Sequence, residues 1–265
     1  MKPLFLLIHV LLALSTLSSH AAPKQIRVFV ALCDNKSQGI IPVGEKIGNG
    51  DTPDANLYWG CSDGFGSLFP RSKLWKVTDS RKDVSPTILR RLSLHHTSAD
   101  LDLVADAYRG SQIQQCLKDF ESAAASGKFD LVAFIGHNGL MDFQLPPPPI
   151  TKGNKTDVAV LCCLSDKYFS PRLTAAGCRP ILMTSQLMYP GAFLLQAAIE
   201  SWHSGASTAS IRSAAAAAYA KNQHISRKAA SGVFANLTPS PQPSPQPSSP
   251  ASSPQPSCPP PSRMP

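Results

Sequence analysis

Apolar and polar positions alternate along this chain in blocks, and the blocks predict its elements. A Val- and Ile-rich run over residues 26–32 stops at Cys33-Asp34-Asn35, where turn formers take over, so a short buried strand is predicted there. A glycine-punctuated loop over 39–54 follows. Leu57, Cys61, Phe65 and Leu68 then recur at helical spacing, with Asp54 placed to cap a helix that Gly60, Gly64 and Gly66 weaken. Residues 74–77 and 89–95 read as two short strands, the second alternating through Leu92 and Leu94, and together they predict a hairpin at one edge of a sheet. A strand over 101–107 precedes a helix capped by Ser111. Its apolar positions Ile113, Cys116, Leu117, Phe120 and Ala124 form one stripe before Gly127 ends it.

From residue 129 the pattern becomes regular. Runs over 129–135 and 158–162 are almost continuously apolar and end in Gly136-His137-Asn138-Gly139 and Cys163-Leu164-Ser165. One more strand is predicted over 180–183, then a helix over 191–203 carrying Phe193, Leu194, Ala197, Ala198 and Trp202, and an alanine-rich helix over 208–222. Strands too apolar to face water, separated by helices, predict an α/β fold: a mostly parallel sheet with helices on both faces and a small edge hairpin. In such sheets ligands bind just beyond the carboxyl ends of the strands. His137 and Cys163 hold that position on two different strands, 26 residues apart in the chain.

Composition changes the picture at the two ends. Lys2 followed by a Leu-dominated run over 4–17 and by Ser19-His20-Ala21 has the layout of a signal peptide, with cleavage expected after Ala21 and a secreted or periplasmic product. That run is shorter than the roughly 20 residues a spanning helix needs. Twelve of the 25 prolines fall in 238–265, where Arg263 is the one charged residue, so a disordered Pro/Ser-rich tail is expected. The organisation read from this is a signal peptide over 1–21, one α/β domain over 22–237 and the tail. A count of 25 Lys plus Arg against 17 Asp plus Glu gives +8. The basic residues are scattered without interleaved aromatics, so no nucleic acid is expected, and the charge suits at most a weak association with an anionic envelope surface. Export places the seven cysteines in an oxidising compartment, and an odd number leaves at least one thiol unpaired within a monomer. Their spacing matches neither a disulfide scaffold nor a zinc site, and no metal or cofactor is expected.

The candidate chemistry lies at the two strand ends. A nucleophilic cysteine needs a neighbouring base to populate its thiolate, and His137 supplies one if its strand lies near that of Cys163. The developing oxyanion then needs donors, for which the backbone amides of Cys163 and of Asn138 or Gly139 are placed. The plainer reading is that a cysteine ending an apolar strand is a small buried residue. Between Cys162 and Cys163, side-chain alternation sends the thiols to opposite faces, with Cys162 into the core and Cys163 to the polar edge. A thiol-redox role for the pair lacks the usual Cys-x-x-Cys spacing.

Phe134-Ile135-Gly136-His137-Asn138-Gly139 resembles the strand-then-His-Gly segment of the caspase-like (clan CD) cysteine peptidases. Val160-Leu161-Cys162-Cys163-Leu164-Ser165 resembles their strand-then-Ala-Cys segment. The order, His before Cys, also agrees. The flanks are similar to the CHAT and gingipain branches, in Ala107-Tyr108-Arg109-Gly110 before the His strand and in 176–184 after the Cys strand. Two positions depart from the pattern: Asn138 stands where the family has glycine directly after histidine, and Cys162 where it has a small alanine. The resemblance implies a three-layer caspase-like sandwich, a hydrolase of peptides or other amides, Cys163 as nucleophile, His137 as general acid/base, and the amide of Gly139 as an oxyanion donor beside that of Cys163; with the signal peptide, the hydrolase is expected to be exported. It also implies a specificity pocket drawing on Asp34 or Asn35, the acidic Asp34 favouring a basic substrate side chain, although both residues are also common turn formers. The loop over 144–154, with four consecutive prolines, either walls the cleft or connects. The alternative is a catalytically silent module of the same fold that binds a protein or cell-envelope partner.

Overall fold

The computed structural model describes residues 22–237; the predicted signal peptide and the Pro/Ser-rich tail lie outside them. Among the described residues the strands are β1 (Lys24–Ala31), β2 (Trp75–Lys82), β3 (Ile88–His96), β4 (Leu101–Tyr108), β5 (Leu131–Ile135), β6 (Asp157–Leu161) and β7 (Arg179–Leu182). They form a seven-stranded sheet in the order β2-β3-β4-β1-β5-β6-β7. β4, β1, β5, β6 and β7 run parallel, and β2 and β3 add an antiparallel edge. The predicted α/β fold and edge hairpin are therefore present, β2 running five residues past its predicted end and β3 matching its prediction to within one residue at each end.

Side-chain alternation along the central strands divides the core into two layers. Ile26, Val28 and Val30 of β1, Leu131, Ala133 and Ile135 of β5, and Ala159 and Leu161 of β6 face one side. There they pack under α1 (Phe65–Arg71), α4 (Ala192–His203), α5 (Thr208–Gln223) and α6 (Arg227–Ser231), through residues such as Phe65, Phe69, Leu194, Ile211 and Ala230. Phe29, Val132, Phe134, Val158 and Val160 face the other side, against α2 (Ile113–Ala125) and α3 (Ser165–Ala175). Burial on both faces explains why β5 is apolar throughout and β6 is apolar after Asp157. All five predicted stripe residues of α2 are buried against the sheet. Gly127 adopts φ +68° just past its end, a conformation that glycine reaches without a Cβ penalty.

Three local expectations are corrected, and two helices had no predicted counterpart. The helix drawn through Leu57 and Cys61 does not form, and only Phe65–Arg71 is helical. The chain before it coils around the buried side chain of Asn56, which accepts from the amides of Cys33 and Tyr58 and donates to the Cys33 carbonyl at 2.8–3.1 Å. At Gly60 a Cβ would lie 2.2 Å from the Asp54 backbone, so this coil requires glycine. Asp54 caps nothing; it sits in a 3-10 turn and pairs with Arg90. Ser111 does not cap α2 either, because a 3-10 turn over Gly110–Gln112 leads into the helix. Helix α3 had no predicted counterpart: it contains Pro171 and buries only Ser165, Phe169 and Leu173, too sparse a stripe to stand out. The short α6 was missed as well. Among the described residues no helix is long and apolar enough to cross a membrane.

Candidate active site

β5 and β6 are adjacent and parallel, with Ile135 level with Leu161. His137 and Cys163 each follow the last paired residue of their strands by two positions, so the register delivers both to the same height above the sheet. Both line one cavity of about 390 Å³, whose other walls come from the loop after β1 (Gly39, Ile40, Ile41), Tyr58, Met141 and the loop after β7 (Leu187, Met188, Pro190). This is the rim formed by the carboxyl ends of β1, β5, β6 and β7, where open α/β sheets take ligands.

The turn that presents Cys163 is held from below. Leu164 is left-handed (φ 53°), a conformation costing a non-glycine residue about 1–2 kcal/mol, and α3 starts directly after it. Two buried hydroxyls hold this strand–turn–helix in place. Ser165 Oγ donates to the Val160 carbonyl at 2.7 Å and accepts from the Thr184 amide at 2.8 Å. Thr184 Oγ1 donates to the Cys162 carbonyl and accepts from the Ser165 amide. Cys162 points into the core beside α3 and is fully buried, which pushes its thiol pKa up. Cys163 is half-buried; its sulfur accepts from the Met188 amide at 3.4 Å and lies 3.6 Å from the Met188 carbonyl.

His137 is 93 % buried, and its Nε2 donates to Asp142 Oδ2 at 2.8 Å. The same carboxylate oxygen accepts from the Gly39 amide at 2.9 Å. Because a carboxylate only accepts, Asp142 sets the tautomer: the proton of neutral His137 sits on Nε2 and the lone pair on Nδ1. Asn138, wholly buried, joins the two halves of the site, its side chain donating to the Cys163 carbonyl at 2.7 Å and accepting from the Leu140 amide at 3.1 Å. Sequence reasoning missed both Asp142 and this role of Asn138. The signal for Asp142 was an acidic residue five positions after the histidine, inside a stretch too short for periodicity to place.

The remaining candidates fall as follows. The Gly139 amide donates to the His137 carbonyl at 3.1 Å across Asn138 (φ −80°, ψ 85°), the bent bond of an inverse γ-turn. The Cys163 amide heads the turn into α3. Asp34 and Asn35 are not brought to this cavity. They line another of about 280 Å³ together with Glu45 and Asp51. There the Asp34 carboxylate accepts from the Lys36 amide at 3.1 Å and the Ser37 hydroxyl at 2.5 Å, while Asn35 bonds the backbone of Val43 in both directions. None of residues 144–154 lines the Cys163 cavity; Arg172 holds the carbonyls of Leu145 and Pro146 beside α3. Tyr58 is buried near Cys33, and burial raises both groups, Cys33 to about 11.

A second titratable cluster lies at the other end of the sheet, where His96, Glu200 and His203 bring their side-chain atoms within 4.8 Å of one another. The Ser98 amide donates to His96 Nδ1 at 3.3 Å, so the proton of neutral His96 sits on Nε2, which faces Glu200 at 3.2 Å. Each carboxylate oxygen of Glu200 thus meets one imidazole, and holding a metal through His96 Nε2 would require the ring to change tautomer. Among the described residues six cysteines are free thiols. In comparisons with known proteins, no family model, no curated protein and no solved structure matches this chain.

Proposed function

We propose that this chain is an exported cysteine-dependent hydrolase of peptide or related amide bonds, with Cys163 as nucleophile and His137 as general acid/base. The observation that carries the reading is the pairing of a thiol and an imidazole at one height on adjacent parallel strands, both lining one cavity, with the imidazole tautomer set by Asp142. The Leu-rich N-terminal stretch and its Ser19-His20-Ala21 end support export.

In this reading His137 Nδ1 takes the Cys163 proton, and the imidazolium is stabilised by Asp142. The thiolate attacks the carbonyl carbon, and the oxyanion is met by the Cys163 amide and by the Gly139 amide, which exchanges its bent bond to the His137 carbonyl for the stronger charge-assisted one. His137 then protonates the leaving amine as the C–N bond breaks, leaving a thioester. Water, deprotonated by His137, attacks the thioester and releases the carboxylic acid and the thiol. No step needs a redox partner.

The second reading, a silent binding module, draws on a different observation: the sulfur is bonded to the Met188 backbone and the imidazole to Asp142. A peptide-library cleavage assay on residues 22–265 under reducing conditions separates the two. Cleavage by the wild type and none by Cys163→Ala or His137→Ala is expected. Intact peptides throughout, with Cys163 alkylated no faster than Cys61, would overturn the hydrolase and favour the module.

A further inference from the structure

We propose that the cavity at Cys163 selects a neutral, apolar side chain on the residue that presents its carbonyl to the sulfur; this rests on the hydrolase reading above. None of the cavity-lining residues is Asp, Glu, Lys or Arg, and Ile40, Ile41, Tyr58, Met141, Leu187 and Met188 supply most of its surface. A charged substrate side chain entering it would lose water and meet no charged wall residue, the nearby Asp142 carboxylate being already bonded to His137 and Gly39, which is unfavourable in a half-enclosed apolar site.

The rim points the same way. Ile41 is 87 % exposed, Leu187 67 % and Met141 43 %, and these three large apolar residues from three separate loops converge on this one opening. Exposed apolar side chains scattered singly need no explanation, whereas several gathered around a concave site mark a surface that a ligand covers. The cavity volume of about 390 Å³ lies within the range of small-ligand pockets. Asp34, the acidic residue that would favour a basic substrate, lines a different cavity and spends its carboxylate on its own turn. The chemistry facing the thiol is that of Leu, Ile, Met or Phe.

The test uses peptidyl acyloxymethyl ketones, in which a thiolate displaces the acyloxy group, with Leu, Phe, Lys or Glu next to the reactive ketone. Labelling of Cys163 is followed by mass spectrometry and each rate is divided by that of iodoacetamide. The Leu and Phe reagents are expected to exceed the Lys and Glu reagents by at least tenfold. In the Leu187→Glu and Ile41→Glu variants, changed at exposed positions the fold does not depend on, that ratio is expected to fall and the Lys reagent to gain. Equal rates across the series, or a Lys or Glu reagent reacting fastest, overturn the apolar pocket. His137→Ala keeps the two claims apart. An apolar preference that persists while labelling is indifferent to His137, with no peptide cleaved, upholds the pocket and removes the hydrolase. His137-dependent labelling without the preference does the reverse.

Discussion

The two ends of the parallel strands carry cavities of opposite character. The amino ends of β1, β5, β6 and β7 border a cavity of about 590 Å³, larger than the one at Cys163, with Lys24, Asp130, Asp157, Arg179 and Trp202 on its walls. Its buried acid is fully engaged: Asp157 accepts from Arg179 at 2.5 and 2.7 Å and from the Trp202 indole at 2.6 Å. Lys24 lies over the Trp202 ring, 4.9 Å from its centre. In the Cys163 cavity at the carboxyl ends, polar groups are few and the walls apolar, yet the thiol and the imidazole are both there. Space alone therefore does not distinguish the two ends. What separates the ends is whether the reactive groups are consumed by one another or left facing a cleft.

That contrast can be broken most decisively at the sulfur. Cys163→Ala is expected to lower peptide cleavage by about 10⁴-fold or more with little change in stability, as measured by turnover and urea unfolding; a variant that still cleaves would relocate the nucleophile. Next in size is Asp142→Ala, which removes the acceptor that sets the His137 tautomer. A loss of about a hundredfold in kcat is expected, with KM little changed and a shifted pH–rate profile. An unaltered profile would reduce Asp142 to a tether for Gly39.

Thiol chemistry sharpens the comparison between cleft and core. Burial raises Cys33 from 9.0 to about 11 and Cys178 likewise to about 11, and raises Cys116 and Cys162 as well. Two pH units mean about a hundredfold less thiolate at neutral pH. Iodoacetamide is expected to modify Cys163, which lines an open cavity, faster than these four buried thiols, read by peptide mapping; even labelling would contradict the packing. At the opposite end, Asp157→Ala is expected to cost about 1–3 kcal/mol in urea unfolding, since it leaves the Trp202 N–H unpaired, while cleavage by the folded fraction persists. The smallest effect is on pH. The folded state holds the protons of the buried thiols more tightly than the unfolded chain does. Their contribution is therefore present below pH 9 and lost as pH rises from 9 towards 11. Unfolding midpoints between pH 8 and 11 check this, and a midpoint that rose with pH would reverse the sign.

Much of the fold was legible in the order of residues. Continuous apolar runs of five or so residues, bounded by turn formers and too short for a helix, read as strands covered on both faces, and β5 and the part of β6 after Asp157 are such runs. Alternation also sorted Cys162 from Cys163, since it depends on nothing beyond strand geometry. The reading failed where local pattern was overridden by a distant polar partner. Asn56, far from β1 in the chain, bonds the backbone of Cys33 and coils the segment that looked helical. Helix α3, with its interior proline and thin apolar stripe, forms because β6 and β7 leave a face for Phe169 and Leu173 to cover.

For the candidate site the division is the same. The residue order placed an imidazole and a thiol each just past an apolar strand, because the point where burial ends is written in the side chains themselves. It did not place Asp142 on His137, tie Asn138 to Cys163, set Ser165 and Thr184 beneath the turn, or move Asp34 to a separate cavity. Those pairings come from the register of neighbouring strands and the paths of their loops. Hydrogen bonds form between groups that packing brings within about 3 Å, and short polar loops carry no periodicity from which that proximity can be read.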